Sequence, residues 1–253
     1  MISKILRDIP WLPIDMDIDI DKLQQEYKFV SENYKFEKYS GIPDLLENGV
    51  RKEMFYVDRH GQKKKVREKY AETWSGISLI SSDGSLYKDF GKYAGKGIED
   101  YHLSTELENC CEYHFELIDL FSARKSRCRI MRISPKTSLL FHSHVLDYGQ
   151  PEETLTIQIP IEMPDNFEYC VVEQKDFIKG SASNAPDDFD KIHRSKLDVG
   201  KAYVFNSYHY HNVFNYSDTY RASIMLYCSL NDENIKQLIE KSLIKEGLYD
   251  AKI

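Results

Sequence analysis

Between Ser126 and Leu230 the chain reads as one strand after another, with no stretch of helical period between them. Seven segments carry the pattern: 126–133 (SRCRIMRI), 137–142 (TSLLFH), 154–161 (TLTIQIPI), 167–174 (FEYCVVEQ), 201–206 (KAYVFN), 211–216 (HNVFNY) and 221–230 (RASIMLYCSL). Each is rich in β-branched and aromatic residues and ends in loops of Gly, Pro, Asn and Asp. Parallel βαβ units need a helix between successive strands, so this order points to a closed or two-sheet β architecture. The longest break, 175–198, is polar and reads as a mobile lid.

The flanks have a different character. Leu23, Tyr27 and Val30 recur at helical spacing in 22–34, with Asp21 as its cap. A second short helix is expected over 42–50, and a hairpin around His60-Gly61 whose exit, Lys63, Lys64, Lys65, Arg67 and Lys69, reads as a solvated edge. Trp74–Leu86 reads as a strand pair turning at Asp83-Gly84. From Ser104 to Phe121 the positions Leu107, Cys110, Cys111, His114, Phe115, Ile118 and Leu120 form one apolar helix face, with His114 a satisfied core histidine. A capped amphipathic helix follows Leu230. With no linker and no internal repeat, 1–253 is expected to be a single domain: 1–125 packing on a core of 126–230, and a closing helix in 231–253.

Charge narrows the partners. Thirty-four Lys and Arg against 41 Asp and Glu give a net charge of -7, which argues against a nucleic-acid surface built on clustered cations. No apolar run approaches the roughly 18 residues of a membrane span, and the first residues show no secretory pattern. The five scattered cysteines form neither a disulfide framework nor a zinc knuckle, so reduced thiols and a cytoplasmic location are expected.

Two histidine clusters stand at strand ends, His142-Ser-His144 and His209-Tyr-His211, with Arg221 beyond the second. Alternation puts His142 and His144 on one face of a strand, and likewise His209 and His211. Two ligands from one strand and a third from a distant one make a facial site with open positions, suited to Fe and also to Zn or Ni. A guanidinium beside it would grip a carboxylate bidentately. Arg129 and Arg132 leave their strand on opposite faces, so at most one points into the barrel, and a surface ion pair is the plainest expectation for each. Asn206, Ser207 and Asn215 are candidates to orient metal-bound imidazoles.

The segments SPKTSLLFHSH (134–144), LTIQIPI (155–161) and FNSYHYHNVFNYSDTYR (205–221) resemble the non-haem Fe(II), 2-oxoglutarate-dependent oxygenases, in particular the aspartyl/asparaginyl β-hydroxylase-like group, and are similar to the cis-proline hydroxylases. The resemblance covers roughly the C-terminal half. It implies a mainly β, double-stranded β-helix (jelly-roll, cupin-like) barrel with flanking helices, and Fe(II), 2-oxoglutarate and O₂ as reactants. It implies hydroxylation of a peptide side chain or an amino-acid-like small molecule. By position His142 matches the first iron histidine, His211 the distal one, and Arg221 the arginine for the oxoacid carboxylate. His144 stands where most such enzymes carry a carboxylate; it is either a third ligand or an outer residue, and Asp147 is the nearest carboxylate after it. Thr156 and Gln158 replace an arginine and a histidine of the β-hydroxylase group and remain candidates to touch the cofactor. His209 is expected to be pocket wall. The alternative is a cupin-like protein that binds a metal or anion without catalysis.

Overall fold

Strands covered on both faces have to be apolar nearly throughout, and the central segments satisfy this. A computed structural model describes residues 2–38, 46–47, 50–51, 55–57, 63–65, 74–87, 102–135, 137–138, 154–172, 192–207 and 209–250. Eight strands form the barrel: β9 (Cys128–Ile133), β10 (Thr137–Ser138), β11 (Thr154–Glu162), β12 (Phe167–Val172), β13 (Ile192–Ser195), β14 (Ala202–Phe205), β15 (Tyr210–Asn215) and β16 (Arg221–Ser229). They divide between two antiparallel sheets, β14-β11-β16-β9 and β10-β15-β12-β13. All but one of the connections between successive strands cross from one sheet to the other. This interleaved order is a jelly roll, the double-stranded β-helix expected from the sequence.

The eighth strand, β13, pairs with β12 inside the segment read as a lid. Its four residues are too few to show against the polar run around them, and 175–191 lie outside the described residues.

The first half of the chain widens the larger sheet at both edges. Strand β1 (Trp11–Ile14) pairs with β14, and β7 (Trp74–Ser81) pairs with β9. Beyond β7 lie β2 (Glu37–Lys38) and β8 (Leu103–Ser104). Trp74–Leu86 is thus one strand and a turn, with Gly84 at φ +78° and Ser78 N–H donating to the Leu86 carbonyl. The expected short helix over 42–50 is replaced by a strand pair, β3 (Leu46–Glu47) with β4 (Val50–Arg51). The expected hairpin is found: β5 (Phe55–Val57) pairs with β6 (Lys63–Lys65), its His60-Gly61 turn lying outside the described residues.

Alternation sorts the two cores. On β11, Leu155, Ile157, Ile159 and Ile161 face a layer of helices: α1 (Ile2–Asp8), α2 (Ile20–Asn33), α3 (Glu112–Leu120) and α4 (Glu233–Lys245). The intervening Thr156 and Gln158 face the other sheet. Between the sheets pack Ile133, Phe167, Tyr169, Val171, Tyr203, Phe205 and Val213. The α2 cap is Asp19, two residues before the expected Asp21, accepting from Lys22 N–H. Asp232 caps α4 through Asn234 and Ile235 N–H. The expected helix over 104–121 divides into a 3₁₀ turn (Glu106–Asn109) and α3, which leaves Leu120 52% exposed and off the apolar face.

Helix α3 lacks a side-chain cap of its own, and Glu26 from α2 supplies one. Its carboxylate accepts from Tyr113 N–H (2.7 Å) and His114 N–H (2.9 Å) and meets His114 Nδ1 at 2.5 Å. Burial pushes the Glu26 carboxyl up, but these hydrogen bonds more than offset it and hold it below its ordinary value of 4.5. A carboxyl depressed in the folded state stabilises fully above its unfolded value and loses that contribution as pH falls through the folded one. Glu26→Gln is therefore expected to lower unfolding free energy at pH 7 and to flatten the acid side of its pH profile, read by urea denaturation from pH 3 to 7. In the same assay Ile157→Ala, at a fully buried position, should cost about 2–5 kcal/mol, and Leu120→Ala about 0.5 kcal/mol or less.

Candidate functional site

His211 stands on β15 of the smaller sheet and Arg221 on β16 of the larger one. Both line one cleft between the sheets. Its polar end is made by Gln158, Tyr169, Arg221 and Ser223, and its other walls by Trp74, Met131, Ile133, Val213 and Met225.

Arg221 is 3% exposed and carries the chemistry of the polar end. Its Nη2 donates to Gln158 Oε1 at 2.8 Å and to the Tyr169 hydroxyl. Tyr169 in turn donates to Gln158 Oε1 at 2.6 Å, and Ser223 Oγ to the same oxygen at 3.2 Å. Three donors thus converge on one carboxamide oxygen, which has two lone pairs. Arg221 Nε is buried with no hydrogen-bond partner, and among the described residues no carboxylate pairs with the guanidinium. The rings of Tyr169 and Phe167 lie 5.0 and 5.3 Å from its central carbon. Burial disfavours the Arg221 charge and lowers its pKa, while burial raises that of Tyr169. The cluster therefore holds more donors than acceptors around a desolvated cation, an arrangement complementary to a carboxylate.

His211 is held by its own strand end. Its Nδ1 lies 2.9 Å from the His209 carbonyl, so Nδ1 donates and Nε2 is the nitrogen with the lone pair. The Phe205 ring stands edge-on at 5.0 Å. A backbone carbonyl fixing one nitrogen so that the other can coordinate is the chemistry of a metal-binding imidazole. His142, His144 and Asp147 lie outside the described residues, and among those described no cluster of three His, Cys, Asp or Glu side chains could hold a metal.

Other site candidates fall elsewhere. Thr156 shares its hydroxyl with Ser207 at 3.0 Å and lines a second cleft, against α1. Asn206 points its amide nitrogen at α1: its Nδ2 donates to the carbonyls of Leu6 (2.9 Å), Arg7 (3.1 Å) and Ile9 (3.1 Å), closing the end of that helix. Asn215 is likewise structural, donating to Ile133, Ser134 and Thr219 carbonyls. His209 ties α1 to the barrel, Nε2 lying 2.6 Å from the Arg7 carbonyl and Nδ1 3.2 Å from that of Val172. Arg129, expected at the surface, is 2% exposed on the inward face. Arg132 stacks over Phe36 at 3.5 Å and Tyr220 at 4.7 Å.

Sequence reasoning missed Tyr169, Ser223 and Trp74. Alternation within FEYCVV aligns Tyr169 with Phe167 and Val171, and Ser223 lies two residues after Arg221, so both had a signal. Trp74 had none, because the joining of β7 to β9 is a long-range event.

Neither a protein-family model nor a curated protein sequence matches the chain. Solved structures similar to it include an oxidoreductase of the 2OG-Fe(II) oxygenase family from Burkholderia pseudomallei (13% identity, covering 90% of this chain and 89% of that one, TM-score 0.46). Another is a prolyl hydroxylase in complex with a hypoxia inducible factor peptide fragment, from Trichoplax adhaerens (10%, 94% and 90%, 0.48). A third is the non-heme alpha-ketoglutarate-dependent epimerase SnoN of nogalamycin biosynthesis (9%, 89% and 80%, 0.46). At such identities and scores these likenesses give no residue a role, and the architecture rests on the strand order described above.

Asn206→Ala removes three carbonyl contacts at once. We expect a loss of about 1–3 kcal/mol in unfolding free energy, with hydrogen-exchange protection falling first in α1 and β1.

Proposed function

We propose that the chain is a non-haem iron, 2-oxoglutarate-dependent dioxygenase that hydroxylates a peptide side chain or an amino-acid-like small molecule. One observation carries this reading: a buried arginine with surplus donors sits in the same cleft as an imidazole whose Nδ1 is fixed by a carbonyl. His211 would hold the metal through Nε2, with His142 and His144 as the further ligands. Arg221, with Tyr169 and Ser223, would take the far carboxylate of the oxoacid, and Gln158 would keep those donors aligned until it arrives. Fe(II) with 2-oxoglutarate and O₂ supplies, when bound, the oxidising power for inserting oxygen into a C–H bond. The chain's own part is to bind the oxoacid in one direction, because the guanidinium sits at only one end of the cleft. It also keeps water from that end by packing Phe167 and Tyr169 against the guanidinium.

The test is succinate formation dependent on Fe(II), 2-oxoglutarate and O₂. His211→Ala should abolish it. Arg221→Met should weaken oxoacid binding about 10- to 100-fold, and Arg221→Lys should recover only part, since an ammonium lacks the planar fork. Oxoacid addition to the anaerobic Fe(II) protein should bring up a visible charge-transfer band. Tightly held zinc with neither band nor succinate would instead favour the cupin-like binder.

A further inference from the structure

The polar end of the cleft accounts for four of its walls and leaves the other end unexplained. In register, Arg221 of β16 and Trp74 of β7 are both paired with Ile133 of β9, one on each side. They therefore stand two strands apart, about 10 Å across the larger sheet. Beside Trp74, Met131 and Met225 pack with Tyr227 into a small buried cluster. Trp74 is the partly exposed member, and Trp74, Met131 and Met225 all line the cleft. No Asp, Glu or Lys is among the described lining residues, and Arg221 is the sole arginine. Arg129 shares the inward face but does not line the cleft.

Resting on the oxygenase reading above, we infer that the Trp74–Met131–Met225 wall is the substrate platform, and that the moiety brought to the metal is an uncharged apolar side chain, aliphatic or aromatic. A charged group there would lose its water without gaining a partner. An indole face and two thioethers instead offer broad, adaptable contact to hydrocarbon. An acidic side chain, the substrate that the resemblance to aspartyl/asparaginyl β-hydroxylases would suggest, meets no cation among the described residues of this wall.

The chain contains two tryptophans, Trp11 and Trp74, so in the Trp11→Phe protein Trp74 is the only one and reports on its own surroundings. Emission is followed while the full chain is titrated with N-acetyl-leucinamide, N-acetyl-phenylalaninamide, the α-amide of N-acetyl-aspartate and N-acetyl-lysinamide, with and without 2-oxoglutarate. The two apolar probes should shift Trp74 emission saturably at concentrations at least tenfold below the charged ones. Met131→Ala should weaken them several-fold and Met131→Leu should restore them, with thermal melts confirming that both variants are folded. Equal or tighter binding of a charged probe, or apolar binding indifferent to Met131→Ala in folded protein, overturns the inference. If the apolar probes saturate while 2-oxoglutarate does not bind, the wall stands and the reading of the Arg221 end falls; the reverse result sinks the wall and leaves the oxygenase reading intact.

Discussion

A guanidinium enclosed between two sheets is tolerable only if the groups around it replace the water it has lost. Arg221 meets that demand through Gln158 of β11 and through Tyr169 and the aromatic faces of Tyr169 and Phe167 on β12. The requirement reaches far into the fold. It sets the inward face of β11, dictates that β12 present a tyrosine and not an aliphatic residue, and explains why Ser223 follows at the next inward position. Even so, three donors outnumber the two lone pairs of the carboxamide oxygen, and Arg221 Nε has no acceptor, so the cluster has donors to spare.

The histidines divide by what their nitrogens do. His211 turns its Nδ1 to a carbonyl two residues before it and lines the cleft, whereas both ring nitrogens of His209 lie against carbonyls of distant segments. Two residues of the same type, two positions apart, thus serve the site and the scaffold. With Asn206 on the same carbonyl cluster, the scaffold histidine binds the first helix to the strand end from which His211 projects into the cleft. The N-terminal segment is therefore part of the barrel's rim and not an appendage to it.

How much of this was legible follows the range of the interactions. Alternation and turn residues are local, and they revealed seven of the eight barrel strands and the closing helix, whereas Gln158 and Arg221 were singled out by the resemblance of their segments to a known family. Short elements in polar surroundings, such as β13 and the β3–β4 pair, have too few residues to leave a pattern. Asn206 and Asn215 show the opposite limit: an amide side chain near a histidine in sequence looks the same whether it orients that ring or ties a loop, and only its partner decides. The pairing of β7 and β1 at the two edges of the larger sheet had no local signature at all, and with β7 came Trp74.

The β1–β14 pairing also bears on how the molecule comes into being. Residues 11–14 find their register against 202–205, so β1 must wait for a strand made about 190 residues after it. At about 5–20 residues per second of synthesis, that is a delay on the order of ten to forty seconds, during which Trp11 and Leu12 have no sheet to join. Nascent protein thus passes through a long interval with the apolar segment 11–14 in search of its edge.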